Sequence, residues 1–122
     1  MKTISELIAD IKARPDYPGV GMILAHNGVV RETSRDGRRV TGLRVAVDSD
    51  RLEAILAEQR ARPGIVDVRI AINGEKDLAV GDDVMFLVVG GDVRENVIGC
   101  LSDTLNQVKA TVTTKTEFFE ES

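Results

Sequence analysis

Two lysines and a glutamate near the end of the sequence are the residues whose types and spacing could do chemistry. Apolar residues recur at helical spacing up to Val108, so Lys109 lies at a predicted helix end. From Ala110 the period changes to two, which predicts a strand with Lys115 and Glu117 on one side. Such a corner could move protons or stabilise developing negative charge. Alternatively, Lys109 complements the helix dipole and Lys115 occupies an edge strand.

Four arginines in a short polar segment form a second group: Arg31, Arg35, Arg38 and Arg39. The segment separates two apolar stretches, and its Asp36-Gly37 pair is typical of a turn. Arginine forks match phosphate oxygens bidentately, so this cluster suggests a local anion site in an acidic protein. The competing interpretation is a solvated hairpin tip whose charges serve only solubility.

The sequence has one histidine and one cysteine, which limits the chemistry open to it. His26 lies on an apolar segment without a partner for a catalytic triad, so a core or edge position is expected. Cys100 falls within an apolar helical face and is expected to be a small core residue. One cysteine forms no internal disulfide, and one histidine argues against a Cys/His metal cluster. We therefore expect no metal and no cofactor.

Length and composition predict one domain that spans residues 1–122. A net charge of −4 and an aromatic content of 3% argue against nucleic-acid binding. The longest apolar runs fall far short of the roughly 18 residues that a membrane helix needs. The first residues lack the apolar region of a secretory signal. We therefore expect a cytoplasmic protein that binds neither nucleic acid nor membrane.

Hydrophobic periodicity predicts the element order α-β-β-α-β-β-α-β, an α+β domain with mixed or antiparallel strand pairing. Thr3 and Glu6 form a predicted capping box on the first helix, and Asp92 with Glu95 is predicted to start the last helix similarly. The two strands that flank the arginine segment are expected to form a hairpin. From Val40 onward the order βαββαβ is that of a ferredoxin-like arrangement.

Several short motifs occur in an order that resembles the large, catalytic subunit of molybdopterin synthase, from Pro18 to Glu117. Gly28–Arg31 resembles the family's Gly-x-Val-Arg at the end of its first long strand. Leu78–Asp82 resembles the family's Leu-x-Val-Gly-Glu/Asp before an apolar strand. Lys109 matches a helix-end lysine, and Lys115–Glu117 resembles a terminal Lys-x-Glu, with one residue fewer between the lysines.

The sequence departs from the family pattern at four places. Val93 replaces the histidine of a His-Arg pair that ends at Arg94, and Val112–Thr114 replaces a Pro-x-Trp. Arg44–Asp48 stands where the family has a Tyr/Glu-rich segment. The turn around Asn73-Gly74 lacks the family's His-Arg-x-Gly and is longer.

The resemblance implies an α/β-hammerhead fold and a sulfurtransferase activity in molybdenum cofactor biosynthesis. The family converts a cyclic pyranopterin monophosphate into molybdopterin by adding the two sulfurs of its dithiolene. The sulfur arrives as a thiocarboxylate on the C-terminal Gly-Gly of a ubiquitin-like small subunit. Two large subunits form a central homodimer with one small subunit at each end, which makes a heterotetramer.

The resemblance also implies roles for individual residues. Lys115 would be the main catalytic amine, Glu117 would orient it, and Lys109 would lie beside the small subunit's C-terminus. Arg31 would hold the phosphate or pterin of the substrate, and Arg94 would do so in the partner protomer's site. The remaining expected substrate-binding residues are Val29, Val30, Val93, Thr116, Arg38 and Arg39.

Two other functions remain open on sequence grounds. An inactive paralogue could keep the fold and bind a pterin or a protein partner without transferring sulfur. A ferredoxin-like regulatory module could bind a small metabolite and dimerise through its sheet, with no thiocarboxylated partner and no dependence on Lys115. Convergence of Arg31, Lys109 and Lys115 in space would favour the synthase.

Overall fold

The computed structural model describes residues 1–121, which form three α-helices and six strands. The helices are α1 (Ile4–Lys12), α2 (Ser49–Arg60) and α3 (Arg94–Thr111). The strands are β1 (Met22–Val29), β2 (Val40–Val47), β3 (Ile65–Ile72), β4 (Asp77–Ala79), β5 (Asp83–Gly91) and β6 (Thr113–Phe119). The predicted α+β class is confirmed; β4 was missed because three residues are too few to show a period of two. Within the described residues, no helix is both long and apolar enough to cross a lipid bilayer.

The strands form two antiparallel sheets rather than one. Their orders are β1-β5-β3 and β4-β2-β6. Since β1 pairs with β5 and β2 pairs with β4 and β6, the predicted hairpin between the first two strands is wrong. The ferredoxin-like arrangement is also wrong, because its βαββαβ strands share a single sheet. Element order along the chain left the strand pairing open.

Strand β5 is the centre of the first sheet because it is apolar on both faces. Leu87 and Val89 pack against α2 and α3, whereas Phe86 and Val88 pack against α1. Successive residues of a strand point to opposite faces, so a continuous apolar run requires cover on both sides. The helices supply that cover.

The capping box at the first helix forms as predicted. The Thr3 hydroxyl accepts a hydrogen bond from the Glu6 backbone N–H at 3.2 Å, and the Glu6 carboxylate accepts one from the Thr3 N–H at 3.2 Å. This pairing satisfies two N–H groups that a helix start otherwise leaves free. The helix then buries Leu7 and Ile11 against the sheet.

The last helix extends further than the sequence predicts. Residues 110 and 111 were expected in a strand, yet α3 continues through Thr111. Val108 and Val112 lie one helical turn apart and are both buried beside Ile55 and Met85. The Thr111 hydroxyl donates to the Gln107 carbonyl at 2.8 Å, which suits a helix. Packing of the two valines thus outweighs the strand preference of β-branched residues.

The start of α3 also differs from its prediction. Val93 is the N-cap residue and provides no side-chain cap. The Asp92 carboxylate instead accepts hydrogen bonds from the Val93 N–H at 2.6 Å and the Asn96 amide at 2.9 Å. These bonds, that of Asn96 first, lower the pKa of Asp92 below its ordinary value. Glu95 is not part of a capping box and lies 3.2 Å from the Arg94 Nε.

Replacing Gly91 with alanine is expected to destabilise the fold by about 1–3 kcal/mol, because a well-packed site must rearrange. A Cβ there would lie 2.6 Å from the Gly64 carbonyl oxygen and 2.9 Å from the Val97 Cγ2. Gly99→Ala is the matched control, since its Cβ would meet only the Arg62 guanidinium, at an ordinary 3.5 Å. Alanine should stabilise that helical position by up to about 1 kcal/mol. Urea unfolding measures the stability of both variants. Similar changes in the free energy of unfolding for Gly91→Ala and Gly99→Ala would contradict the close packing at Gly91.

Candidate functional site

A cavity of about 390 Å³ lies at the junction of the two sheets, and we call it the seam cavity. The first sheet contributes His26, Gly28 and Val29 from β1, and Val84 and Met85 from β5. The remaining lining residues are Leu43 and Val45 of β2, Thr113 and Lys115 of β6, Lys109 of α3, and Arg35. The cavity therefore depends on elements that are distant in sequence.

A second cavity of about 270 Å³, the adjoining recess, extends the seam cavity toward the arginine segment. Five residues line both: Val29, Arg35, Leu43, Lys109 and Lys115. Arg31, Val30 and Glu117 line only the recess. The structure thus brings Arg31, both lysines and Glu117 to one continuous region.

The helix-to-strand corner places the two lysines together. Lys109 lies in the last turn of α3, and buried Val112 anchors the chain where it turns into β6. Lys115 pairs with Val45 of β2 in the strand register, which directs its side chain to the apolar face of the second sheet. The predicted alternation along this strand is confirmed where it matters for the site.

Lys115 and Glu117 are neighbours on the same face of β6. The Lys115 Nζ lies 3.8 Å from a Glu117 carboxylate oxygen. The lysine side chain is 56% exposed and the glutamate side chain is 26% exposed, so the amine reaches into open space while the carboxylate is more enclosed. An ion pair of this length orients the ammonium group without immobilising it.

The four arginines of the polar segment divide into two pairs. Arg31 and Arg35 line the cavities, and the Arg31 Nε donates to the Thr33 carbonyl at 2.8 Å. The Arg38 guanidinium stacks on the Phe119 ring at 3.6 Å from its centroid. The Arg39 Nε lies 3.6 Å from a Glu120 carboxylate oxygen. Arg38 and Arg39 are therefore engaged with the end of β6, and neither is among the residues that line the cavities.

Other predicted substrate-binding residues lie elsewhere. Val93 and Arg94 stand at the start of α3, and Arg94 lies roughly 23 Å along the helix from Lys109 at about 1.5 Å per residue. They line a separate open depression of about 450 Å³, and the Arg94 side chain is 78% exposed. Thr116 lies on β6 between Lys115 and Glu117, so it points to the opposite face. One protomer therefore does not bring these three residues to the seam cavity.

His26 and Arg35 are the two titratable lining residues that the sequence analysis did not name as catalytic or substrate-binding. His26 was expected in the core or at an edge, and Arg35 was noted only as one of four arginines. Burial lowers the pKa of His26, and the positive charge of Lys109 lowers it further. The sequence held one signal for His26. It lies two residues before Gly28, the first residue of Gly28–Arg31, so the two residues share one face of the strand.

The charge around the seam cavity suits an anion. Arg35, Lys109 and Lys115 line it, and its lining residues include no aspartate or glutamate. This local excess of positive charge contrasts with the net charge of −4 of the whole chain. Within residues 1–121, no group of three or more Cys, His, Asp or Glu side chains is arranged to hold a metal ion. The cationic lining of the seam cavity suits anion binding and proton transfer.

His26 is expected to make the folding stability fall as the pH drops below the ordinary histidine range. Its pKa is lowered in the folded protein by burial and by Lys109, whereas the unfolded chain should titrate near about 6.5. The unfolded chain therefore binds the proton more readily, so the contribution is complete above about pH 6.5 and is lost as pH falls through the lowered folded value.

Urea unfolding of the wild type and of His26→Gln at several pH values measures this effect. Carboxyl groups titrate in both proteins, so their contribution cancels in the difference between the two free energies of unfolding. As the solution becomes more acidic, the free energy of unfolding of the wild type should fall by more than that of His26→Gln. Parallel pH profiles for the two proteins would contradict the lowered pKa.

Comparison with known proteins identifies one family. The model of the family described as MoaE protein matches residues 2–111. No curated protein sequence matches the chain. The family match covers β1, the arginine segment and both ends of α3, and it ends before β6.

Solved structures share the fold at low sequence identity. The molybdopterin cofactor biosynthesis protein E of Burkholderia multivorans is 24% identical, with a TM-score of 0.76 over 98% of this chain and 82% of that chain. A molybdopterin synthase structure from Staphylococcus aureus is 20% identical, with a TM-score of 0.71 over 84% of this chain and 77% of that chain. A complex of subunits 1 and 2 of molybdopterin-converting factor from Helicobacter pylori is 16% identical, with a TM-score of 0.72 over 99% of this chain and 82% of that chain.

Proposed function

Because the chain belongs to the MoaE protein family, we propose that it is the catalytic subunit of a molybdopterin synthase. Family membership supports a role in molybdenum cofactor biosynthesis. The proposed reaction transfers sulfur from a thiocarboxylated small subunit to a cyclic pyranopterin monophosphate and so forms the dithiolene of molybdopterin. We assign this reaction to the cytoplasm and its chemistry to the seam cavity and the adjoining recess.

The observation that carries the proposal is the convergence of the candidate residues on one region. Arg31, Lys109, Lys115 and Glu117 come from the end of β1, from α3 and from β6, yet they line two cavities that share five residues. Side chains that line the same cavity can act on one bound molecule, whereas isolated surface lysines cannot. Convergence therefore favours a reaction site over four unrelated solvated charges.

Lys115 is the proposed catalytic amine. Its ammonium group reaches the cavity, and Glu117 lies 3.8 Å away on the same strand face. An ammonium in this position can donate a proton to a leaving oxygen or stabilise the negative charge that develops as sulfur adds. Lys109 enters the same space from the end of α3, where it is proposed to lie beside the C-terminus of the small subunit.

The substrate phosphate is proposed to bind at the arginine side of the site. Arg31 and Arg35 both line the adjoining recess, and guanidinium groups match phosphate oxygens bidentately. The hydrogen bond from Arg31 to the Thr33 carbonyl leaves its terminal nitrogens to meet a ligand. Phosphate held there would place the ring system of the substrate toward the apolar lining of the seam cavity, which includes Val84 and Met85.

The proposed partners are a ubiquitin-like small subunit that ends in Gly-Gly and a second copy of this chain. The Helicobacter pylori structure, described as a complex of two subunits of molybdopterin-converting factor, supports the first partner. The homodimer accounts for Arg94, which stands far from the seam cavity of its own protomer and is exposed at the start of α3. In the dimer, Arg94 is proposed to reach the partner protomer's site.

An inactive paralogue is the second candidate, and specific residues favour it. Val93 stands in place of the family histidine, and Val112–Thr114 stands in place of Pro-x-Trp. Of these residues, Val112 is buried in the core and Thr113 lines the seam cavity, so the second change alters the wall of the proposed site. The two-sheet topology and the family match argue against the ferredoxin-like regulatory module.

Two separate measurements test the proposal. Calorimetry with the small subunit establishes whether the complex forms, and single-turnover conversion of the cyclic pyranopterin monophosphate with thiocarboxylated small subunit establishes the chemistry. Complex formation with conversion supports the synthase. Complex formation without conversion supports the inactive paralogue, and the absence of both would overturn the assignment to molybdopterin synthesis.

A further inference from the structure

The only histidine of the sequence stands in the wall of the seam cavity. His26 and Gly28 share one face of β1, and a Cβ added to Gly28 would lie 3.5 Å from the His26 Nε2. Because Gly28 has no side chain, it does not cover the Nε2 edge of the His26 imidazole. Since both residues line the cavity, this uncovered edge can meet a ligand held there.

Apart from the Thr113 hydroxyl group, the side chains that line the cavity with His26 are positively charged or apolar. Lys109 approaches from α3, Lys115 from β6 and Arg35 from the arginine segment. Strands β2 and β5 contribute only aliphatic and thioether side chains to this wall. The nearest carboxylate of the site, Glu117, lines the adjoining recess and lies next to Lys115. Burial and the positive charge of Lys109 lower the pKa of His26, so these surroundings favour the neutral imidazole in the absence of a ligand.

We propose that His26 contacts the anionic phosphate of the ligand from the seam-cavity side of Arg35, the arginine that lines both cavities, and takes up a proton when that ligand binds. This inference rests on the proposed function, because it takes the phosphorylated substrate to be the ligand. The imidazolium then donates a charge-assisted hydrogen bond to the phosphate, which is stronger than the hydrogen bond that a neutral imidazole would donate. Binding and protonation therefore reinforce each other.

The direction of the pH dependence follows from linkage. An anion offsets the repulsion from Lys109, Lys115 and Arg35, which raises the pKa of His26 in the bound protein above its value in the free protein. The protonated protein consequently binds the anion more tightly. Affinity should rise as the pH falls through the bound-state pKa and should level off below the free-state pKa.

Nuclear magnetic resonance of the imidazole ring tests this directly, because one histidine gives one set of ring signals. The probe is cyclic guanosine monophosphate, a fused ring system with a cyclic phosphodiester whose single charge does not titrate near neutral pH. The probe should move the titration of His26 to higher pH. Its Kd should fall by about fivefold or more between about pH 8 and about pH 6, the lower end of typical coupling between two sites.

Three variants sharpen the measurement. His26→Gln keeps a hydrogen-bond donor but cannot take up a proton, so its Kd should not depend on pH in this range. Lys109→Ala should raise the pKa of His26 in the free protein, because it removes a repelling charge. Lys12→Ala removes an exposed lysine in the last turn of α1, away from the cavity, and should behave as the wild type.

Two results would overturn the inference. In one, the probe shifts signals of Lys109 and Lys115 but leaves the His26 titration where it was. In the other, the probe at millimolar concentration shifts none of these signals, so the cavity does not hold a cyclic phosphate. Both are read on the wild-type protein, so they do not depend on the folding of a variant. Sulfur transfer is measured in a separate experiment. If the wild type converts the cyclic pyranopterin monophosphate but the probe does not move the titration of His26, this inference is refuted and the proposed function stands.

Discussion

Lys115→Ala is expected to lower the single-turnover rate of molybdopterin formation by about 10²- to 10⁴-fold, the usual contribution of a proton-transferring side chain. Lys115 reaches the seam cavity from the face of β6 that also carries Glu117, and its side chain is more than half exposed. Removing it should therefore leave the fold intact. Binding of the small subunit, measured by calorimetry, should change far less than the rate.

A charge-preserving variant separates two ways in which Lys115 could act. Lys115→Arg keeps the positive charge but gives up a proton far less readily. A rate that stays low in this variant points to proton transfer, whereas substantial recovery points to electrostatic stabilisation. Lys12→Ala is the matched control for the loss of an exposed lysine. A wild-type rate in Lys115→Ala would remove Lys115 from the reaction.

Asp67→Ala is expected to lower the free energy of unfolding by about 3 kcal/mol, the lower end for breaking a buried ion pair. The Asp67 side chain is 2% exposed and accepts hydrogen bonds from the Val68 N–H at 2.9 Å and the Arg69 Nε at 2.6 Å. The Arg60 Nε lies 3.2 Å away and an Arg14 terminal nitrogen 3.6 Å away. One carboxylate thus connects the ends of α1 and α2 to β3.

The lower end is expected because the three arginines are partly exposed and can recover water when their partner is lost. Urea unfolding measures the change, with Glu53→Ala on the exposed side of α2 as the control. Exposed substitutions of that kind usually stay within about 0.5 kcal/mol. An Asp67→Ala effect no larger than the control would show that the network contributes little to stability. Arg69 and Arg60 lie near Asp67 in sequence but Arg14 does not, and sequence spacing by itself did not indicate that the three share one carboxylate.

Local patterns in the sequence were sufficient for several parts of the molecule. The Thr3–Glu6 pair predicts its capping box because all of its atoms lie within one turn of chain. Lys115 and Glu117 are on one face because successive strand residues alternate, wherever the strand pairs. The α+β class likewise follows from periods that can be counted along the chain.

Failures of the sequence analysis occurred where a residue's environment depends on distant parts of the chain. The strand pairing is one case, because β1 and β2 pair with different sheets although they are neighbours in sequence. The end of α3 is another, because burial of Val112 beside Ile55 and Met85 outweighs its strand preference. His26 lies on an edge strand, as expected, but the wall that it shares with α3, β2, β5 and β6 could not be predicted, because those elements are distant in sequence.

The sequence by itself therefore determined which residues could act and the local geometry of Lys115 with Glu117. Tertiary structure alone decided that Arg31 and Arg35 join the lysines, that Arg38 and Arg39 do not, and that the single histidine faces the same cavity. The physical reason is the range of the interactions involved. Helical caps and strand alternation depend on neighbours a few residues away, whereas a cavity forms only where the two sheets and α3 pack together.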